Sequence, residues 1–359
     1  MFKKVTLAAF ALLFSVSCIG LNQVNAASEK LIQSAKKEGK VVLYHSLSRR
    51  VLKKLVKGFE KKYGIDVKWT RKGTGGIIRM VTAEKMAGAL KCDIVSTGDP
   101  TVFIRWQKEG LLKKYISTNT SSFHKGLANP EGWITPSRTT IGSMGYNTKN
   151  VKDSEAPKSW KDVLDPKWKG RLAIVDPRKS GPARWWMAGM VKRFGWEYFQ
   201  ELAKNKPLLL KATSTAALAL INGEADVLVI ANEHDLVRRK AKGQSVSPSY
   251  PKEGISKKTS PVAICANPPN PNAAKLWIDW ESSAKMQALM TKDGGYPPTR
   301  TDVKSYHPRD PKLTAPDNLL DFSQKKFIKN KRKMLKKFGK IMKGMKVRIY
   351  KKKKKKKKK

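Results

Sequence analysis

Acid is what this chain has least of. In 359 residues, 28 Asp and Glu stand against 75 Lys and Arg, a net charge of +47. So few carboxylates suit cationic ligands poorly, because those need acidic residues or aromatic cages. The excess instead attracts anions: phosphate ligands, acidic lipid surfaces, or nucleic acid without sequence preference. Cysteine is nearly absent, three in all, with neither CxxC nor Cys/His ligand spacing, so a structural zinc site is unsupported. No two tyrosines are adjacent. Beyond the N-terminus no apolar run approaches the roughly 18 residues of a membrane span. Cofactor signatures and nucleophile–base spacing are also missing. Cys92, His45 and Asp99 are the set a catalytic reading would draw on, and nothing in their spacing supports one.

The N-terminus fits export. Lys3 and Lys4 precede the apolar run 5–16, and Val24-Asn25-Ala26 offers the small residues of a cleavage site, placing the signal peptide at 1–26. Ser15-Val16-Ser17-Cys18 is a weaker, lipoprotein-like alternative that would lipidate Cys18. About 330 remaining residues suit two lobes with separate cores. Cys92 and Cys265 remain after cleavage. An oxidising compartment permits a bridge, but their strand-like positions favour two small buried hydrophobes.

After a short helix opened by Ser28 and Glu29, the chain alternates strand and helix. Val41–Tyr44 reads as a buried strand, Arg49–Tyr63 as an amphipathic helix with Leu52, Leu55, Val56 and Phe59 on one face, and Ile65–Thr70 as a second strand. Gly73–Gly76 opens a helix over Ile77–Ala89, and Asp93–Thr97 is a third strand. This β-α-β-α-β order predicts a mainly parallel sheet with loops gathered at the strand C-termini. Ile141–Tyr146 reads as a strand, followed by helices at Ala183–Gly195, Trp196–Asn205 and Ser214–Asn222 and a strand at Asp226–Ala231. Pro261–Ala266 returns as a strand and Pro271–Met290 as one helix. Residues 325–359 hold 21 Lys or Arg and no acid, which leaves about +26 on the rest. Apolar residues from Phe327 to Met342 give that tail the pattern of a basic amphipathic helix, and Lys351–Lys359 reads as disordered. A solvated tail without a partner is the first expectation, contact with an anionic membrane surface the second, and nucleic-acid binding a further possibility.

Several segments together resemble a known family. In Pro157–Pro177, Ser159 caps a short helix stopped at Asp165-Pro166, Gly170 resets the backbone, and Leu172–Val175 is a buried strand. With Tyr146-Asn147-Thr148 and Tyr296–Val303, this resembles the periplasmic solute-binding proteins of ABC importers, in the group that includes ferric-iron, thiamine, phosphonate and sugar-phosphate binders. The resemblance implies an α/β, two-lobe periplasmic binding protein fold of type II, each lobe a mainly parallel sheet flanked by helices, joined by a hinge. It sets lobe 1 at 27–146 and 256–323, lobe 2 at 147–255, and a tail from 324. It further implies a monomer in the periplasm, no enzymatic activity, no cofactor, and a partner ABC permease in the inner membrane.

In such folds the ligand sits between lobes, against strand ends and helix N-termini whose free N–H groups suit anions. Four places have that character: His45, Ser46 and Ser48 after the first strand; Thr74 and Gly75 in the glycine turn; Thr97 and Asp99 after the third strand; and the second-lobe loops. The last group comprises Ser180, Gly181 and Arg184, then Thr213 and Ser214, then Glu233, His234 and Asp235. Capping is the plainer role for Ser46, Ser48 and above all Asp99. Ferric binders of the resembled family carry two adjacent tyrosines shortly after a Gly-Glu pair and a strand. Here Gly223-Glu224 leads instead to Glu233-His234, so the phenolate donors suited to Fe(III) are missing. His45, Glu233 and His234 are the residues a softer divalent metal would use. The hydroxyl-rich helix starts and the positive charge point instead to an anionic organic solute, sugar phosphate first and aminoalkyl phosphonate next.

Overall fold

A computed structural model describes residues 29–305, 320 and 322–349. The expected signal peptide, with Cys18 and Ala26, and the Lys351–Lys359 run lie outside these residues. The elements run α1 (29–38), β1 (Lys40–His45), α2 (Arg49–Tyr63), β2 (Asp66–Arg71), α3 (Thr74–Met86), β3 (Ile94–Ser96), α4 (Thr101–Lys108), β4 (Leu112–Lys113) and β5 (Thr135–Asn147). They continue with β6 (Leu172–Val175), α5 (Gly181–Phe194), α6 (Glu197–Lys204), β7 (Leu208–Leu210), α7 (Thr213–Ile221), β8 (Val227–Asn232), α8 (Glu233–Lys240), β9 (Val246–Ser249) and β10 (Ser256–Cys265). The chain closes with α9 (Pro271–Ser282), α10 (Ala284–Gly294), α11 (Gln324–Ile341) and β11 (Val347–Arg348).

One continuous ladder orders the strands β11-β7-β6-β8-β5-β10-β3-β1-β2. At one end β1, β2 and β3 are parallel, and at the other β6, β7, β8 and β11 are parallel. The long antiparallel pair β5 and β10 joins these two parallel groups, which are the cores of the two lobes. The two strands that link the lobes therefore also form the floor between them.

Alternation along β1 divides the first lobe's core. Val41 and Leu43 face Phe59 and Trp277, whereas Tyr44 faces Phe103, Trp106, Cys92 and Cys265. The second lobe buries β6 and β8 among Trp160, Trp186 and Phe199.

Four expectations need correction. Cys92 and Cys265 form a disulfide, with Cα atoms 6.1 Å apart, rather than two free buried thiols. They lie on neighbouring segments of one sheet, a proximity that a sequence separation of 173 conceals. The helix expected over Pro271–Met290 breaks at Ser283, whose extended backbone and side chain cap α10 through the Met286 amide at 3.4 Å. The short helix expected after Ser159 is present as a 3₁₀ turn, Asp162–Leu164, followed by a second, Pro166–Trp168, but Ser159 Oγ accepts from the Lys161 amide at 3.0 Å and does not cap it. The described part of the basic tail, finally, packs its apolar side onto the protein. Phe338 of α11 and Met342, just past its end, are buried in the second lobe's core, Phe338 lies 5.5 Å from Phe199, and β11 adds a parallel strand beside β7. Among the described residues no helix is long and apolar enough to cross a membrane.

Candidate functional site: a basic interlobe cleft

Between the lobes lies a cleft of about 1040 Å³. The N-termini of α2, α3, α5, α7 and α8 all border it. At α2, α3, α7 and α8 no side chain caps the helix start, whereas Ser180 of α5 accepts from the Ala183 amide at 3.4 Å. Helix N-termini present N–H donors and partial positive charge, and five of them around one cleft favour an anion.

Formal charge adds to these dipoles. Twelve Lys or Arg and two Asp line the cleft. Over residues 1–324 the ratio is 54 basic to 28 acidic, about two to one. Six to one in the cleft is therefore a local concentration, not a reflection of the basic chain. Both carboxylates are already engaged, Asp293 with Arg50 and Lys54 at 3.1 and 2.7 Å, and Asp235 with Arg238 and Arg239.

The floor comes from β5 and β10. Arg138 stands directly opposite Ser260 in the ladder, and Thr140 opposite Lys258; all four line the cleft. Arg138 Nη2 donates to Ser46 Oγ at 3.0 Å, and its guanidinium lies 5.8 Å from the centre of the Tyr296 ring. Its Nη1, with Ser260 Oγ and Asn232 Oδ1, is a buried polar atom without a hydrogen-bond partner among the described residues. Lys258 Nζ donates to the Gly98 carbonyl. Burial pushes the Lys258 ammonium down to about 7, with Asp99 opposing the shift and Arg138 and Arg184 adding to it.

The lobes touch at both ends of this floor. A Cβ on Gly181 would lie 3.7 Å from Thr74 Cγ2 across the cleft, and Arg184 Nη1 is 3.8 Å from Asp99 Oδ2. At the other end Gly295, with φ +74°, lies against His234. A Cβ there would come within 2.7 Å of the His234 carbonyl, so both conformation and space require glycine.

Of the residues singled out from sequence, Ser46, Ser48, Thr74, Gly75, Ser180, Gly181, Arg184, Thr213, His234 and Asp235 line the cleft together. Thr74, Gly75 and Thr213 belong to first helical turns, because α3 and α7 start earlier than expected. Ser214 follows in α7, and its side chain is outside the described set. His45, Thr97, Asp99 and Glu233 are placed elsewhere.

His45 is fully buried. Its Nδ1 accepts from the Leu47 amide at 3.0 Å, leaving Nε2 to donate to Glu281 at 3.2 Å. Burial resists ionisation of Glu281, but the facing His45 and hydrogen bonds from His45, Ser137 and Trp277 outweigh it and hold the carboxyl below its ordinary range. Thr97 hydrogen-bonds Asp99, and Asp99 caps α4 through the Thr101 amide at 3.1 Å. Glu233 is buried and accepts from Tyr250 Oη at 3.0 Å. The metal set His45, Glu233, His234 and the catalytic set Cys92, His45, Asp99 are thereby both dispersed. Among the described residues no cluster of three or more His, Cys, Asp or Glu is arranged to hold a metal ion.

Sequence reading missed the floor, Arg138, Thr140, Lys258 and Ser260, and the rim cations Arg49, Arg71, Lys72, Arg79, Lys179 and Lys211. An available signal was the same-face spacing of Arg138 with Thr140 and of Lys258 with Ser260 in β-patterned stretches.

Comparison with known proteins agrees with this geometry. Residues 90–326, about two thirds of the chain, match the model of the family described as bacterial extracellular solute-binding protein. A curated but uncharacterised protein of Haemophilus influenzae is 28% identical over 280 residues, covering 75% of this chain and 80% of its own length. The structure of the periplasmic binding protein AfuA from Actinobacillus pleuropneumoniae, with exogenous fructose-6-phosphate bound, superposes with a TM-score of 0.75. It is 26% identical, over 85% of this chain and 99% of that one. Iron-bound HitA from Pseudomonas aeruginosa shares the fold at a TM-score of 0.69 and 22% identity, over 84% and 99%. With its two lobes, connecting strands and interlobe cleft, the chain belongs to the bacterial extracellular solute-binding protein family and has the type II periplasmic binding fold.

Proposed function

We propose that this protein captures a small phosphorylated organic solute in the interlobe cleft and delivers it to an inner-membrane ABC permease. A sugar phosphate is the first choice and an aminoalkyl phosphonate the next. The observation that carries the reading is the cleft lining, twelve cations against two engaged carboxylates, bordered by five helix N-termini. Ser46, Ser48, Thr74, Gly75, Ser180, Gly181 and Thr213 offer hydroxyl and backbone donors to the phosphate. His234, its ring 4.3 Å from that of Tyr296 and tilted 39° to it, presents a polar face to the organic part. Lobe 2, residues 147–255, turns on the β5–β10 pair to close over the solute. The protein works as a monomer in the periplasm, exported by a signal peptide cleaved after Ala26, with lipid anchoring at Cys18 as the second route. Likeness to a relative that holds fructose-6-phosphate supports the choice of ligand. A metal-ion cargo has less support, because His45 and Glu233 point their donors into the protein.

Thermal-shift titration of the full chain tests the reading against hexose phosphates, 2-aminoethylphosphonate, inorganic phosphate and ferric citrate. A ligand at about a thousand times its Kd adds about 4 kcal/mol to the folded state, a shift of several degrees. Stabilisation by a phosphate ester or phosphonate is the expected outcome. Stabilisation by ferric citrate alone would overturn it.

A further inference from the structure

We infer that the cleft is built for a solute carrying two separate anionic groups, a sugar bisphosphate or phosphorylated sugar acid, rather than a single phosphate. The inference rests on the phosphorylated-solute reading and narrows it.

Its first support is the floor. Antiparallel register sets two cation–hydroxyl pairs side by side on the same face, Arg138 with Ser260 and Lys258 with Thr140. Successive same-face pairs in a strand are about 7 Å apart, the distance between two phosphates on a short carbon chain rather than between oxygens of one. Each pair combines a buried cation with a hydroxyl, the donor set for an oxyanion. Arg138 Nη1 and Ser260 Oγ, in the same pair, are buried polar atoms without a partner among the described residues. Such atoms are costly unless an ordered water or a ligand satisfies them.

Charge is the second support. A phosphate monoester carries at most two negative charges near neutral pH. The cleft holds Arg138 and Lys258 on its floor. Arg49, Arg71, Lys72, Arg79, Lys179 and Lys211 stand around them with no carboxylate partner among the described residues. One monoester at either floor pair leaves the other cation buried and unmatched. Burial chiefly lowers the affinity of Arg71 for its own proton, Tyr296 opposing the shift and the neighbouring Arg138 and Arg49 adding to it.

The lobes supply the rest of each seat. Around Lys258 stand Gly98, Thr74 and the start of α5 at Ser180-Gly181, while around Arg138 stand Ser46, Arg71 and Tyr296. A two-ended solute would thus meet both lobes at the Lys258 end and the first lobe at the Arg138 end.

Isothermal titration of the full chain with fructose 6-phosphate and fructose 1,6-bisphosphate tests this. The bisphosphate is expected to bind at least about tenfold more tightly, a gain of about 1.4 kcal/mol. Ser260→Ala and Arg138→Lys are expected to reduce bisphosphate affinity more than monophosphate affinity, and Lys258→Met to do the same from the other end. Thermal melts without ligand confirm that each variant is folded, and Ser260→Ala, the mildest change, decides the case if Arg138→Lys melts early. Equal or tighter binding of the monophosphate would overturn the two-anion inference and leave the phosphorylated-solute reading intact. Failure of both esters, and of inorganic phosphate, to bind would overturn both.

Discussion

Lys258 is the residue whose chemistry changes most when an anion arrives. Burial, opposed by Asp99 and reinforced by Arg138 and Arg184, sets its proton affinity at about pH 7, and Gly98 takes its hydrogen bond. A dianion beside it favours the ammonium, so the bound protein holds the proton to higher pH than the free one. The sign follows directly. Well below pH 7 the lysine is charged in both states and takes up no proton on binding. Above pH 7 binding takes up a proton, and affinity falls as pH rises further. The ester's own second ionisation lies near pH 6 and is complete by then. Titration calorimetry at pH 8 in two buffers of different ionisation enthalpy should show net proton uptake, which Lys258→Met should abolish. Same-face spacing with Ser260 was the one local signal for this group, and nothing along β10 shows that the Nζ ends between two lobes. Hydroxyls and glycines at helix starts were legible, because capping chemistry and cleft chemistry use the same residues. His45 and Glu233 were misread for the converse reason: the partner of His45 is 236 positions away, and Tyr250 covers Glu233.

At the scale of elements, α11 is the main surprise. Its apolar positions were legible as an amphipathic helix, but a sequence cannot say whether the covering surface is a bilayer or the protein itself. Here Phe338 meets Phe199, Lys337 lies over the Trp196 ring at 5.0 Å, and Phe327 joins Trp185 and Phe322. Arg348 of β11 pairs with Glu224 at 3.0 Å. Phe338→Ala should therefore cost about 3–5 kcal/mol in chemical denaturation, as for other large buried side chains. A solvated tail would give no change. Solute affinity at temperatures where the variant is folded should remain as in the parent chain, because α11 contributes no residue to the cleft lining. The β-α order of the first lobe was readable from hydrophobic period alone. The full lengths of β5 and β10 were not, because Thr135–Arg138 and Ser256–Ser260 are polar strands whose burial comes from the lobes above them.

For the whole molecule, the proposed anionic solute would be drawn in by charge as well as held by it. A cleft with ten more cations than carboxylates focuses its field on small anions approaching from solution. Stopped-flow tryptophan fluorescence should show the association rate for a bisphosphate falling about tenfold or more between low salt and about 1 M, where screening acts within about 3 Å. Dissociation should change far less, since the floor pairs are shielded from solvent. A rate independent of salt would mean that the rim cations play no part in capture.

The order of the ladder has a consequence for biogenesis. β10 lies between β3 and β5, and its last residue is bridged to Cys92, so the first lobe cannot close until its final strand has crossed the membrane. The second lobe is contiguous in its central strands, yet α11 and β11 come last of all and fill its core and edge. Neither lobe is complete while any large part of the chain is still inside the cell. Under the proposed location in the periplasm, folding of both lobes therefore waits on nearly the whole chain, in a compartment that also supplies the oxidant for the Cys92–Cys265 bridge.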